Sequence, residues 1–192
     1  CFLLNQVAPG GYTPRFLGNI TDTSLTMGRR GDISNGFLSG YSYDLSGSVG
    51  RNEARFGLNN TVNPSMGLAT PRNFDTGSYV ELEKTFNFDL TKQVDSMTIA
   101  YGAEWREETF EVISGEEASW KAGKYALQGF NVGSHGFAGF SPDSQGSFTR
   151  KSYGLYADIE NQVSDELLLG GAFRYEDYSS FGDTNDFKLK AR

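Results

Sequence analysis

Apolar and polar residues alternate with a period of two along most of this chain, and the 3.6-residue spacing of an amphipathic helix is hard to find. From Ser152 to Gln162 one row reads Tyr153, Leu155, Ala157, Ile159, and the other reads Tyr156, Asp158, Glu160. Leu167, Leu169, Phe173 and Tyr175 oppose Gly170, Ala172, Arg174 and Glu176. Met97, Ile99, Tyr101, Ala103 and Trp105 oppose Thr98, Ala100, Gly102, Glu104, Arg106 and Glu108. Val80, Leu82, Phe86, Phe88 and Leu90 oppose Glu81, Glu83, Thr85, Asn87 and Asp89. Tyr41, Tyr43, Leu45 and Val49 oppose Ser42, Asp44, Ser46 and Ser48, and Leu25, Met27 and Ile33 mark a weaker first strand broken by Arg29. The pattern predicts seven strands, near 24–33, 37–49, 77–91, 96–111, 148–162, 165–178 and 185–192.

Short and long connections alternate between them. Ser34-Asn35-Gly36 and Gln162 to Glu166 read as tight polar turns, and Leu90 to Ser96 is nearly so. Gly50 to Gly77, carrying Asn63-Pro64-Ser65 and Thr70-Pro71, and Val112 to Gly146, rich in Gly, Ser and aromatics, are long. Structureless connections of about 30 residues are uncommon in compact soluble domains. They are ordinary at one rim of a membrane barrel, whose other rim carries short turns. Two architectures fit the alternation. In a β-sandwich the apolar row is the core; in a membrane barrel it faces lipid and the mixed charged and small row lines a wet interior. Several runs sustain alternation for about ten residues, which tilted membrane strands require and soluble strands of about 5 to 6 residues do not. Strand length and loop asymmetry favour the barrel.

Composition narrows the function classes. The chain's 192 residues fit one domain or a piece of one. Aromatics at 14% and 24 glycines suit β structure. A net charge of −7 argues against nucleic acid as a partner, since neutralising a polyanion needs clustered positive charge. No apolar run reaches the roughly 18 residues of a membrane helix, which leaves strand-wise spanning untouched. With Cys1 the only cysteine and His135 the only histidine, no internal disulfide and no Cys/His zinc cluster can be assembled, and neither a resident metal nor a cofactor is expected. Cys1 as first residue is compatible with a lipid-modified terminus, but Phe2-Leu3-Leu4 runs straight into loop-like sequence, which favours a cut fragment; no signal-peptide pattern is visible.

Specific strings then carry a resemblance. Tyr43-Asp44-Leu45-Ser46, Gly50-Arg51-Asn52-Glu53 and Asn60-Thr61-Val62-Asn63-Pro64-Ser65-Met66-Gly67 occur in order. They are followed by Tyr101 to Glu111 (YGAEWREETFE), Gly129-Phe130 and Gly139-Phe140-Ser141-Pro142. Tyr156-Ala157-Asp158-Ile159-Glu160 and Arg174-Tyr175-Glu176-Asp177-Tyr178-Ser179-Ser180-Phe181-Gly182 come last, and Gly11-Tyr12-Thr13-Pro14-Arg15-Phe16 fits the loop preceding them all. In order and spacing these resemble the mid-barrel portion of TonB-dependent outer-membrane receptors. The resemblance implies an all-β fold, an antiparallel transmembrane β-barrel segment supplying seven strands of a barrel of about 22. It also implies an N-terminal plug, which this sequence does not contain, and import of scarce ligands driven through TonB. On that basis the chain is part of a single β-barrel domain (1–192), about a third of a barrel. Turns near 35, 94 and 164 are periplasmic, and long extracellular loops lie near 1–22, 50–76 and 112–147, with a shorter one at 179–184. The implied location is the Gram-negative outer membrane, and the implied partners are its lipid bilayer, TonB through the plug, and a small-molecule nutrient such as a ferric siderophore or oligosaccharide.

Catalytic constellations are poor. His135 lies between Gly133-Ser134 and Gly136 with no partner the sequence can locate, and reads as a loop histidine. Asp183, Asn185 and Asp186 lack EF-hand spacing and read as a polar turn. An outer-membrane phospholipase or protease barrel would need partners for that lone histidine, so no enzyme is expected. The candidate ligand contacts are Trp120, Tyr125, Phe130, His135, Phe137 and Phe140 in the longest loop, because aromatic faces stack on sugar rings or aromatic chelates. Packing of loop upon loop is the competing role for each ring. Glu104, Arg106, Asp158, Arg174 and Glu176 are expected to face the lumen and pair across strands. The rival reading, a soluble β-sandwich carbohydrate-binding or adhesion module, differs physically: it buries Leu155, Ile159, Leu167, Leu169 and Phe173 beneath a second sheet.

Overall fold

The computed structural model describes residues 2–192, with side chains from Asn5 onward; the expectations about Cys1 lie outside the described residues. The alternating runs form β1 (Arg15–Asp32), β2 (Ser42–Asn59), β3 (Asn73–Val94), β4 (Met97–Ser114), β5 (Gly146–Ser164), β6 (Leu167–Tyr178) and β7 (Gly182–Ala191). They pair as one seven-stranded antiparallel sheet in chain order. In β5 and β6 the register runs from Ser152 opposite Tyr178 to Ser164 opposite Leu167, with an irregularity between Gln162 and Ser164. In β6 and β7 it runs from Leu169 opposite Ala191 to Tyr178 opposite Gly182. Short helical pieces sit in the connections: α1 (Phe2–Val7), α2 (Glu117–Trp120) and 3-10 turns at Pro64–Ala69, Ala126–Gln128 and Pro142–Ser144.

The strands outrun the apolar alternation, which corrects the expected loops. The loop placed near 1–22 contains strand from Arg15, and the loop placed near 50–76 narrows to residues 60–72. The third, placed near 112–147, narrows to 115–145. A ladder is held by backbone bonds whatever its side chains, so a polar stretch can continue a strand where cross-strand polar pairs take over. Asn52 Nδ2 donates to Asp22 Oδ1 at 2.6 Å, and the Arg55 guanidinium binds Asp75. The first hairpin differs in the opposite sense: β2 starts at Ser42, not near 37. Gly36 and Gly40 take φ of +82° and +83°, a left-handed backbone that interrupts extension. The turn closes with Gly40 N donating to Ile33 O and Ile33 N to Tyr41 O, both at 2.8 Å.

Internal packing groups the residues into two compact units. The loop unit is Cys1–Thr23, Arg51–Glu81 and Thr109–Phe148; the belt unit is Ser24–Gly50, Leu82–Glu108 and Thr149–Arg192. In the belt unit the apolar rows lie open: Leu155 is 56% exposed, Ile159 46%, Leu169 44% and Phe173 38%. The sandwich alternative requires these side chains to be covered, and among the described residues of this unit no second layer covers them. Hydrocarbon is the medium that accepts such rows without the hydration penalty. On β3 the apolar row is interrupted at Lys84, whose ammonium is bound by Glu107 at 2.8 Å. The loop unit has instead a small core of Ala8, Leu58, Val62, Phe74 and Val80. Val80 was expected in the open apolar row and is 4% exposed.

Candidate ligand-binding site in the long loops

The two long connections of the loop unit are locked together by buried polar groups. Asn63 is fully buried and caps the Pro64–Ala69 turn, its Oδ1 accepting from Ser65 N at 3.2 Å and Ser65 Oγ at 2.7 Å. Its Nδ2 donates to Ala118 O at 2.9 Å and Lys121 O at 3.0 Å, so both amide donors and the acceptor are used. Ser65 continues the link, its Oγ accepting from Gly123 N and its carbonyl from Tyr125 N, both at 2.9 Å. The carbonyl of buried Ser119 accepts from Ser134 N and Gly139 N, both at 2.9 Å. Phe140 is pinned on both sides: its N donates to Thr76 O and its O accepts from Gly115 N, each at 3.0 Å. Buried amides and carbonyls satisfied this fully cost nothing in desolvation and set one geometry for the loop.

That geometry presses Phe137 and Phe140 onto rings from three strands, with a ring of a fourth behind them. Phe137 lies 5.3 Å from Phe16 of β1 and 6.1 Å from Phe56 of β2, measured between ring centroids. Phe140 stacks on Tyr79 of β3 at 4.9 Å and meets Phe56 edge-on at 6.2 Å. Tyr79 reaches Phe110 of β4 at 5.3 Å, and Phe137 and Phe140 are 5.8 Å apart. These separations are the favourable range for aromatic pairs. Phe16 and Phe110 are exposed, and the four rings between them are half-buried.

The other loop candidates are placed elsewhere. Trp120 is half-buried and closes its own turn, Nε1 donating to Gly115 O at 3.1 Å. Tyr125 pairs with Phe130 at 6.0 Å, with the Lys124 ammonium 4.9 Å from its ring centre. His135 is exposed, its Nδ1 3.2 Å from the Tyr12 hydroxyl and its ring edge-on to Tyr12 at 5.7 Å. Burial holds the Tyr12 phenol above its ordinary pKa, opposed by the Arg72 guanidinium near its ring. The structure thus brings together Phe137 and Phe140, but neither Trp120, Tyr125 and Phe130 nor His135 joins their cluster.

Phe16, Phe56, Tyr79 and Phe110 are the members that sequence reasoning passed over. Phe16 and Phe56 fell inside expected loops. The signal for the other two was an aromatic standing where alternation calls for a polar residue: Tyr79 precedes Glu81 by two positions, and Phe110 follows Glu108 by two.

In the belt unit, four of the five charged candidates meet one another. Arg174 lies 2.8 Å from Glu176 and 3.7 Å from Glu104, and Arg106 lies 3.3 Å from Glu104 and 3.8 Å from Glu83. Asp158 instead lines a cleft of about 540 Å³ with Ala100, Tyr156, Ala172 and Arg174. Tyr156 lies across β4 to donate to Asp89 of β3 at 2.7 Å. It can do so because position 102 is glycine: a Cβ there would sit 1.9 Å from the tyrosine ring. No group of His, Cys, Asp and Glu able to hold a metal ion is present among the described residues.

Comparison with known proteins matches residues 4–190 to the family described as TonB dependent receptor-like, beta-barrel. No curated protein and no solved structure matches the chain. With seven antiparallel strands in one sheet, open apolar rows and a match over nearly its whole length, this chain belongs to the TonB-dependent receptor β-barrel family, the outer-membrane transport receptors.

Proposed function

We propose that the receptor containing this chain imports a small nutrient molecule across the outer membrane with energy delivered through TonB, and that its loops receive the ligand on the ring cluster of Phe16, Phe56, Tyr79, Phe110, Phe137 and Phe140. The observation that carries this reading is the seating of Phe137 and Phe140. Phe140 is fixed on both sides by backbone bonds and the Phe137 carbonyl accepts from Ser134 Oγ at 2.6 Å, so both half-buried rings are seated against strand aromatics before any ligand arrives. A preformed surface spares the ligand the entropy of ordering a loop. Glu104, Arg106, Asp158, Arg174 and Glu176 belong to the wet row and line the interior through which cargo passes. Trp120, Tyr125 and Phe130 support the loop, and His135 orders Tyr12.

Phe137→Ala with Phe140→Ala, made together in the full receptor, tests the site. Energy-dependent uptake of the nutrient that supports growth is expected to fall by roughly tenfold or more, as each lost ring contact is worth about 0.5 to 1.5 kcal/mol beyond its buried area. Barrel assembly, read as resistance of the outer-membrane form to unfolding in cold detergent, is expected to persist. Unchanged uptake removes the site; uptake indifferent to dissipation of the inner-membrane proton gradient removes the energy coupling.

A further inference from the structure

We infer that the outward face of the belt unit holds a phosphate-bearing membrane lipid, its headgroup seated on Lys84 and Lys151 toward the rim that carries the long connections. Neither the loop rings nor the imported nutrient has any part in it.

The first ground is an excess of positive charge in the apolar rows. Lys84 stands between Leu82 and Phe86 in the row of β3, Glu107 follows Trp105 in that of β4, and Lys151 precedes Tyr153 in that of β5. The two lysines converge on one carboxylate: Lys84 Nζ lies 2.8 Å from Glu107 Oε1, and Lys151 Nζ lies 3.2 Å from Glu107 Oε2. Glu107 is largely covered, with 17% of its side chain exposed, whereas Lys84 and Lys151 keep 45% and 52%. Two ammoniums on one carboxylate leave a charge of +1. Each ammonium has three donors, of which Glu107 takes one, so two on each are left for an outer partner. Neither lysine has a second acidic partner among the described residues; Asp177, opposite Tyr153 on β6, pairs with neither.

The second ground is depth. Lys84 stands ten residues before the end of β3 at Val94, and Glu107 ten after the start of β4 at Met97. Ten residues at about 3.3 Å each, on a strand tilted by about 40°, climb about 25 Å from the tight turn, which is the height of the apolar band of a membrane barrel. Two positions toward the turn on each strand stand Phe86, Trp105 and Tyr153, an aromatic row of the kind that girdles a membrane interface. Phe86 and Tyr153 are exposed and Trp105 is half-buried. The triad thus stands at headgroup level, directly above ring faces that acyl chains can cover. A lipid phosphate meets both demands at once: its oxygens neutralise the excess ammonium charge, and its chains run down past Phe86, Tyr153 and Leu155. A free phosphate gains nothing from those faces.

The test uses the whole receptor, purified in dodecyl maltoside micelles, and three probes: dioleoyl phosphatidic acid, dioleoyl phosphatidylcholine and inorganic phosphate. Phosphatidic acid is expected to bind, to bind less tightly as salt is added, and to resist competition by inorganic phosphate. Lys84→Gln and Lys151→Gln are each expected to weaken it roughly fivefold, and about thirtyfold together. Lys84→Arg with Lys151→Arg keeps the charge and is expected to bind as the wild type does. Glu107→Gln raises the excess charge from +1 to +2 and is expected to bind at least as tightly. If the Gln pair fails to assemble, the two single Gln variants decide. No binding of phosphatidic acid, equal binding of phosphatidylcholine, or displacement by equimolar inorganic phosphate overturns the inference. So does unchanged binding in the Gln variants. A loss in the Arg pair or in Glu107→Gln as large as that in the Gln pair also overturns it, since the triad then serves barrel packing alone.

Discussion

Asn63→Ala puts the interlock of the two long loops to a quantitative test. The buried side chain makes four hydrogen bonds, two as donor to Ala118 O and Lys121 O and two as acceptor from Ser65 N and Ser65 Oγ. At a net value of about 1 kcal/mol each, their loss costs the closed loop arrangement about 4 kcal/mol, and the two carbonyls left without donors keep the figure from falling lower. The strand ladders do not depend on this side chain, so the opening is local. Hydrogen exchange of the receptor in outer-membrane vesicles reads it directly. The amides of Gly123, Tyr125, Ser134 and Gly139 are expected to exchange roughly a thousandfold faster, while amides in the middle of β4 and β5 are unchanged. Asn63→Asp sharpens the test, since it keeps the acceptor for Ser65 and replaces the donors with an oxygen facing two carbonyls. If capping of Pro64–Ala69 were the whole role, the Asp variant would behave as wild type. Wild-type exchange in the Ala variant, or in the Asp variant, refutes the interlock.

Leu169→Arg and Ile99→Arg are expected to impair insertion by about 2 to 4 kcal/mol where these rows meet the bilayer midplane, and normal assembly of both variants would refute the facing of the apolar rows. Gly102→Val drives a side chain into the slot occupied by Tyr156 and is expected to cost about 1 to 3 kcal/mol. In denaturant unfolding of the receptor, Tyr156→Ala with Gly102→Val is expected to recover part of that loss, and strict additivity of the two would count against the slot. Tyr12→Phe removes the hydroxyl that faces His135; an increase in protease cleavage near residues 133–136, with assembly unaltered, checks that this bond orders the loop.

The fold class was legible because a strand embedded between lipid and water must show its two environments at alternate positions, and this chain does so at Leu155, Ile159, Leu167, Leu169 and Phe173. Strand ends were less legible. Beyond Val49 the side chains turn polar while the backbone keeps pairing, and backbone pairing leaves no hydrophobic mark. The candidate site was half legible. Phe137 and Phe140 stood out as loop aromatics, whereas Phe16, Phe56, Tyr79 and Phe110 are distant in sequence and meet only because four strands lie side by side.

From its residues alone the chain determined the period of two, the separation of apolar from mixed polar rows, and the alternation of tight turns with long connections. Those features follow from local geometry and from each residue's preference for lipid or water. Tertiary structure alone decided which polar groups the loops spend on each other, which basic side chains are already paired, and which rings share a surface. Each of these depends on register across strands and on contacts between residues far apart in sequence, such as Asn63 with Ala118 and Phe16 with Phe137, and no periodicity along a single strand encodes them.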